Sequence, residues 1–234
     1  MFSNITGSEY MNIGSLYGVS TNIDFKGTAL VNDYLGDHLQ DSDLAKIVND
    51  FTSPSNPDGA PASNNSIYFI YTAPNVREQS DDVACAFHSD TGGLKYAWVS
   101  GFNAQPNVGC GASETNSITS SASHEFFETL TDPLVAEATV YSPPLGWYDS
   151  GPTNQGENGD PCNQESFSGN LNGATYWLQS IFVNDASKPA GGFCASGNSF
   201  VHAGGVPEPG TWILFISGIG LAGVALRRRV AVTA

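Results

Sequence analysis

"SASHEFFETLTDP", residues 121–133, places one histidine and three carboxylates within nine positions and closes on Asp132-Pro133. With Ser117 as N-cap and Asp132-Pro133 as the stop, the spacing predicts a helix of about fifteen residues. At about 100° per residue, Ile118, Ala122, Phe126 and Leu130 fall on one apolar face. Ser121, His124, Glu125 and Glu128 fall on the other, and Asp132 points the same way. One reading is a solvated acidic face. The other is a cluster built to hold a cation.

His124 and Glu128 stand four residues apart, so their side chains stack one turn apart and can grip a single ion. Glu125 lies beside them, placed to act as a general base on water at that ion. This is the logic of the metallopeptidase HExxH helix with its second histidine replaced by glutamate. The exchange makes the site harder and more anionic, and less selective for zinc. HExxE alone is a weak pattern, and the following segment strengthens it. "GWYDSGPTNQGENGDPC", residues 146–162, is Gly-rich and carries Asp149, Glu157 and Asp160 just before Cys162. Folded back over the helix, this loop can supply a third oxygen from Glu157 or Asp160. A calcium-binding loop and a merely acidic one are its other readings. His88 follows "ACAF" on an expected strand. Such a histidine is ordinarily a hydrogen-bonded structural residue, but here it is also the candidate fourth ligand or a substrate-orienting group. His38 and His202 receive no role.

Outward from this helix, "DSDLAKIVNDFTS" (41–53) repeats Leu44, Ile47, Val48 and Phe51 at helical spacing, with Asp41 or Ser42 as cap. "SIYFIYTA" (66–73) reads as a central strand, "LKYAWVSG" (94–101) as a second and "VACAFHSD" (83–90) as a third. "GATYWLQSIFVND" (173–185) reads as a late strand or strand pair, and 142–172 as turn-rich and irregular. The sum is an α+β fold: one mixed β-sheet with a few helices, one of them carrying HExxE.

The 234 residues suit one domain with an appendage. Charged residues are 13% of the chain and the net charge is −15. Removing everything from Val206 onward takes away Arg227, Arg228, Arg229 and Glu208, which leaves 5 basic and 22 acidic residues. A body at −17 repels nucleic acid and anionic membranes and tolerates divalent cations. Cys85, Cys110, Cys162 and Cys194 contain no CxxC pair, which argues against a structural zinc cluster. Chain order suggests Cys85–Cys110 and Cys162–Cys194, among three possible connectivities.

"VPEPGTWILFISGIGLAGVALRRR" runs from Val206 to Arg229: a Pro-Glu-Pro turn, an apolar run from Trp212 to Leu226, and three arginines. The run is 15 residues, short of the ~20 that cross a bilayer comfortably. The layout resembles the PEP-CTERM sorting signal. That resemblance implies an exported protein held transiently in the inner membrane through 212–226, cleaved by an exosortase, and released to the cell surface or extracellular matrix. It divides the chain into an extracellular body, 1–200, and a sorting tail, 201–234. The first residues, "MFSNITGSEYMNIGSLYG", show neither a basic nor an apolar leader region, so the expectation is a gene start further upstream.

"GTALVNDYLGDHLQDSDLAKIV", "IYFIYTAPNV", "CAFH", "YAWV", "SHEFFETLTDP", "GWYD" and "ENGDPC" follow one another in the order seen in the phosphate-induced (EXORDIUM-like) protein family. The similarity spans roughly residues 15 to 200. The family pattern matches at Cys85, Phe87, His88, His124, Glu125, Glu128, Pro133, Trp147, Glu157, Gly159, Asp160 and Cys162. It departs at Asn158, where the family favours an apolar residue. The resemblance implies a secreted or wall-associated protein and, through the helix, a zincin-like core.

Two functions follow. One is an exported metal-dependent hydrolase, a zincin-like peptidase. Zinc or another divalent cation would sit on His124, Glu128 and Glu157 or Asp160, with His88 near and Glu125 as base. The other is a non-catalytic matrix or cell-surface protein with a structural cation site, whose Trp147 and Tyr148 touch exopolysaccharide.

Overall fold

The structure, a computed structural model, describes residues 1–31, 35–78, 84–101, 115–137, 146–149, 156–163, 165–188 and 191–197. The chain divides into two units, Met1–Ser199 and Phe200–Ala234. The second, with the whole sorting tail, lies outside the described residues.

In chain order the elements are α1 (Asn12–Ser15), β1 (His38–Leu39), α2 (Asp41–Phe51), β2 (Ile67–Tyr71), β3 (Arg77–Glu78), β4 (Ala86–Thr91), β5 (Leu94–Val99), α3 (Thr115–Thr131), β6 (Ser166–Leu171), β7 (Ala174–Gln179), β8 (Ile181–Asn184) and β9 (Gly192–Ala195). The architecture is mixed α+β, but the expected single sheet is four small ones among the described residues. These are a parallel β1–β3 pair, a three-stranded sheet in the order β2-β5-β4, and two antiparallel pairs, β6–β7 and β8–β9.

In the three-stranded sheet β5 is central, parallel to β2 and antiparallel to β4. "IYFIY" is therefore an edge strand, not the central one expected from its composition. Hydrophobicity alone does not separate the two, because a centre is fixed by hydrogen-bonded neighbours along both edges, and among the described residues β2 has one only on its β5 side. Alternate β5 side chains Leu94, Tyr96 and Trp98 join Leu44 and Val48 of α2 in one buried cluster. The others, Ala97 and Val99, are fully buried on the opposite face. The β4–β5 turn is Gly92-Gly93 and the β6–β7 turn is Asn172-Gly173. All four residues have positive φ, the geometry of two-residue hairpins whose twist suits the strands. The hairpin strand β6 replaces the irregular segment expected before residue 172.

The helix α2 is capped by Gln40 rather than Asp41 or Ser42, and the Gln40 amide donates to Asp43 Oδ2 at 2.9 Å. The helix α3 begins at Thr115, so Ser117 is not its cap but a buried residue of its first turn. The expected division of α3 into one apolar and one polar face is also too simple. Its Phe126 meets Phe2 and Phe69, its Phe127 meets Tyr10, and its Thr119, Ser120 and Ser123 face the β6–β7 hairpin. Thr119 Oγ1 donates to Trp177 O at 2.8 Å, Ser120 Oγ lies 2.7 Å from Ser166 Oγ, and Ser123 Oγ accepts from Gln179 N at 2.9 Å. Small hydroxyl side chains let the helix approach the hairpin closely while satisfying backbone groups there. The N-terminal segment props this unit from beneath: Ile5, Tyr10, Met11 and Ile13 are buried, and Tyr10 Oη donates to Gln179 O at 2.7 Å.

Candidate functional site

The second half of α3 projects His124, Glu125, Glu128 and Asp132 into the interior, where two other segments meet them. Glu125 and Glu128 are 4% and 3% exposed, which rules out a solvated acidic face. The first incoming segment is β4. Its period of two sends Phe87 to stack near Trp98 and turns His88 to the other face, opposite the small Ala97. His88 Nε2–H donates to the Asp132 carbonyl, 3.1 Å away. The other nitrogen, Nδ1, then faces Glu125 Oε2 at 3.4 Å and Glu128 Oε2 at 3.7 Å. Further along β4, Asp90 Oδ1 accepts from Ala136 N at 3.1 Å and fixes the chain leaving α3.

The second segment is the turn 156–163. Cys162 is bonded to Cys194 of β9, and Asn158 O accepts from Phe182 N at 2.8 Å, so β8 and β9 carry the turn as a unit. Cys85 is also disulfide-bonded, while Cys110 lies outside the described residues. Closing a loop across a 32-residue separation stabilises the fold by about 3–4 kcal/mol in chain-entropy terms. The turn reaches α3 at Gly159. Its N–H donates to Glu128 Oε1 at 3.2 Å, and its carbonyl accepts from Gln179 Nε2 at 2.9 Å. A Cβ there would stand 2.8 Å from both Glu128 Oε1 and His124 Nδ1, so glycine is required for room. On either side of it, Glu157 Oε1 lies 3.2 Å from His88 Nε2, and Asp160 Oδ1 lies 3.7 Å from His124 Nε2.

Thus all six residues singled out by sequence converge: His88, His124, Glu125, Glu128, Glu157 and Asp160. Sequence reasoning did not single out Gln179. Its amide nitrogen, fixed as a donor by the Gly159 carbonyl, lies 2.7 Å from His124 Nδ1, which accepts from it only in the neutral imidazole. His124 Nε2–H then donates to Glu128 Oε1 at 2.9 Å. The position of Gln179 at the end of a strand carries no local signal; only pairing brings it here.

The electrostatics follow from burial among like charges. Burial pushes the Glu125 carboxyl up to about 7, only partly offset by His88 and His124. Burial also opposes ionisation of Glu128, but His124 and His88 outweigh it and hold Glu128 well below the carboxylate range. Burial disfavours the His124 imidazolium too, yet Glu128 beside it, with Glu125 and Asp160, raises it to about 10. His88 goes the same way through Glu125, Glu128 and Glu157. Glu157, Asp160 and Asp132 are all pushed up, first by burial.

The donor set fits a divalent cation. His124, Glu128 and Asp160 form one set, and His88, Glu128 and Glu157 another; in each, one ligand atom per residue lies within 4.8 Å of the others. Glu125 Oε2 is buried without a hydrogen-bond partner. Ligation through His124 Nε2 requires its proton to leave and the Gln179 amide to turn its oxygen toward Nδ1–H. Away from this cluster, His38 is exposed on β1, and His202 lies outside the described residues.

Residues 205–229 match the PEP-CTERM protein-sorting motif. The motif marks an exported protein that is recognised by an exosortase and sorted to the cell surface. Among the described residues no helix is long and apolar enough to cross a membrane; residues 212–226 lie outside them. No curated protein and no solved structure matches the chain.

Proposed function

We propose that the exported body is a metal-dependent hydrolase with a zincin-like core, acting on peptides at the cell surface or in the matrix after its tail has briefly anchored it in the membrane through residues 212–226. The observation that carries this reading is the buried Glu125 Oε2. A carboxylate oxygen held in the interior with no well-formed hydrogen bond, and only the His88 ion pair at 3.4 Å, is under-satisfied unless a ligand or reacting proton uses it. The order of the motifs "CAFH", "SHEFFETLTDP" and "ENGDPC" supports placing the body with the phosphate-induced (EXORDIUM-like) proteins.

His124, Glu128 and Asp160 or Glu157 would hold the cation, zinc or another divalent ion, with His88 adjoining. Bound there, it supplies Lewis-acid polarisation of the scissile carbonyl. Glu125 takes the proton of the attacking water on Oε2 and returns it to the leaving amine. Burial raises that carboxyl in the metal-free protein, and a cation beside it would draw it down toward the ionised form that a base needs. Gln179 orients His124, and Gly159 N–H steadies Glu128. Asp160, whose side chain is 42% exposed, marks the side from which substrate enters.

The test is Glu125→Gln in the purified protein, assayed on a panel of unstructured peptides and analysed for zinc. The expected result is at least a hundredfold loss of kcat with zinc content retained. Equal turnover in both proteins removes Glu125 as base.

A second reading rests on a different observation. Trp147, Tyr148, Asp149, Phe182 and Asn184 line a cleft. Tyr148 is exposed, while Trp147 is held between Tyr17 and Phe182. Aromatic faces beside an acid and an amide suit a sugar chain. If the body is a non-catalytic matrix protein, this cleft holds exopolysaccharide and the cation is structural.

A further inference from the structure

We infer that Glu128 is a bridging carboxylate and that the site takes two divalent cations rather than one. The inference rests on reading the cluster as a cation centre, and deepens it. A single ion cannot satisfy the geometry on both sides of Glu128. Its Oε1 faces His124 Nε2 at 2.9 Å, while its Oε2 faces His88 Nδ1 at 3.7 Å. Each imidazole is accompanied by its own acid from the 156–163 turn. Asp160 stands beside His124, and Glu157 beside His88. The two sets of candidate ligands therefore share Glu128 and nothing else.

Charge points the same way. Among the described residues the ion pairs of Glu125, Glu128, Glu157 and Asp160 run to His88 and His124. Ligation requires both imidazoles to be neutral. One divalent cation then offsets only part of the negative charge that Glu125, Glu128, Glu157 and Asp160 can carry, and a second offsets more of it. Uncompensated charge is expensive where Glu125 and Glu128 sit, out of contact with water. The buried Glu125 Oε2, which has no well-formed hydrogen bond, aims at His88 Nδ1 from 3.4 Å, which marks that side as more than a structural prop for the first ion. Glu128 is also held from outside the two sets: Gly159 N–H donates to Oε1 and so fixes the carboxylate plane. Two ions joined by such a carboxylate would lie about 4 Å apart, the spacing of two-metal hydrolytic sites.

The experiment is metal counting on the full-length chain, stripped with chelator and titrated with zinc, followed by electron paramagnetic resonance of the manganese(II)-loaded protein. The expected result is two equivalents of zinc and an exchange-coupled manganese spectrum. One equivalent overturns the bridge but leaves the single-cation reading intact, and none overturns both. Two equivalents with magnetically independent manganese place the second ion elsewhere and also overturn the bridge. Asp160→Asn changes a half-exposed side chain and should leave one equivalent; any other count overturns its assignment to a seat of its own. Far-ultraviolet circular dichroism checks that this variant is folded.

Discussion

Both halves of α3 bury polar side chains, yet they are built to different ends. In residues 115–123 the hydroxyls of Thr119, Ser120 and Ser123 all find partners. Thr119 reaches Trp177 O, Ser120 reaches Ser166, and Ser123 both donates to Ser120 O and receives Gln179 N. In residues 124–132 Glu125 Oε2 and Asp132 Oδ1 are buried without hydrogen bonds, and Glu157 Oε1 joins them from across the site. A satisfied buried polar face is a joint between helix and hairpin. An unsatisfied one costs stability that something outside the chain must restore. Burial alone does not distinguish the two; the partner of each polar atom does.

That contrast can be broken most forcefully at Gly159→Ala. The added methyl collides with both Glu128 Oε1 and His124 Nδ1, and so pushes the turn off the second half of the helix. We expect a loss of about 1–3 kcal/mol in stability by chemical denaturation. We also expect zinc affinity to fall about a hundredfold, which at about 1.4 kcal/mol per decade matches the upper part of that range. Unchanged zinc affinity by calorimetry would separate the turn from the cation centre.

Next in size is the response to pH. In the metal-free protein Glu125 is raised from 4.5 to about 7 and His124 from 6.5 to about 10. Raised values mean that the stabilisation from each proton is complete below the unfolded-state value. It is lost as pH climbs through about 7 for Glu125 and about 10 for His124. The Tm of the metal-free protein should therefore fall between about pH 5 and pH 9. Zinc competes with those same protons, so its affinity should rise about tenfold per pH unit for each proton expelled. The gap between zinc-loaded and metal-free Tm should widen with pH. A gap that stays constant would mean that the ion binds away from these groups.

The smallest effect sharpens the other half. Ser123→Ala removes the donor to Ser120 O and leaves Gln179 N without its hydroxyl acceptor. We expect about 1–2 kcal/mol of destabilisation, seen as a Tm lower by a few degrees, with zinc stoichiometry unchanged. A fall in zinc content would show that the joint and the centre are one unit.

Part of this organisation was written plainly in the chain. The spacing of His124, Glu125 and Glu128 is a property of one helix, and Leu44 and Val48 declare the buried face of α2. The Asn172-Gly173 hairpin was equally legible, because positive φ at both positions is a local demand. Reading 142–172 as irregular passed over that signal. The Ser117 cap failed for a converse reason: serine is favoured at N-caps, but packing against the hairpin drew Ser117 into the first turn of α3.

By itself, then, the sequence determined the two long helices, the strands β2, β4, β5, β7 and β8, the excess of acid over base and the sorting tail, since each depends on neighbours a few residues apart. Only the tertiary structure decided that His88 enters opposite Ala97, that Glu157 and Asp160 fall to different histidines, and that Gln179 orients His124. Those choices depend on strand register and on the disulfide-tied turn that meets the helix at Gly159, contacts between residues far apart in the chain that no short-range periodicity encodes.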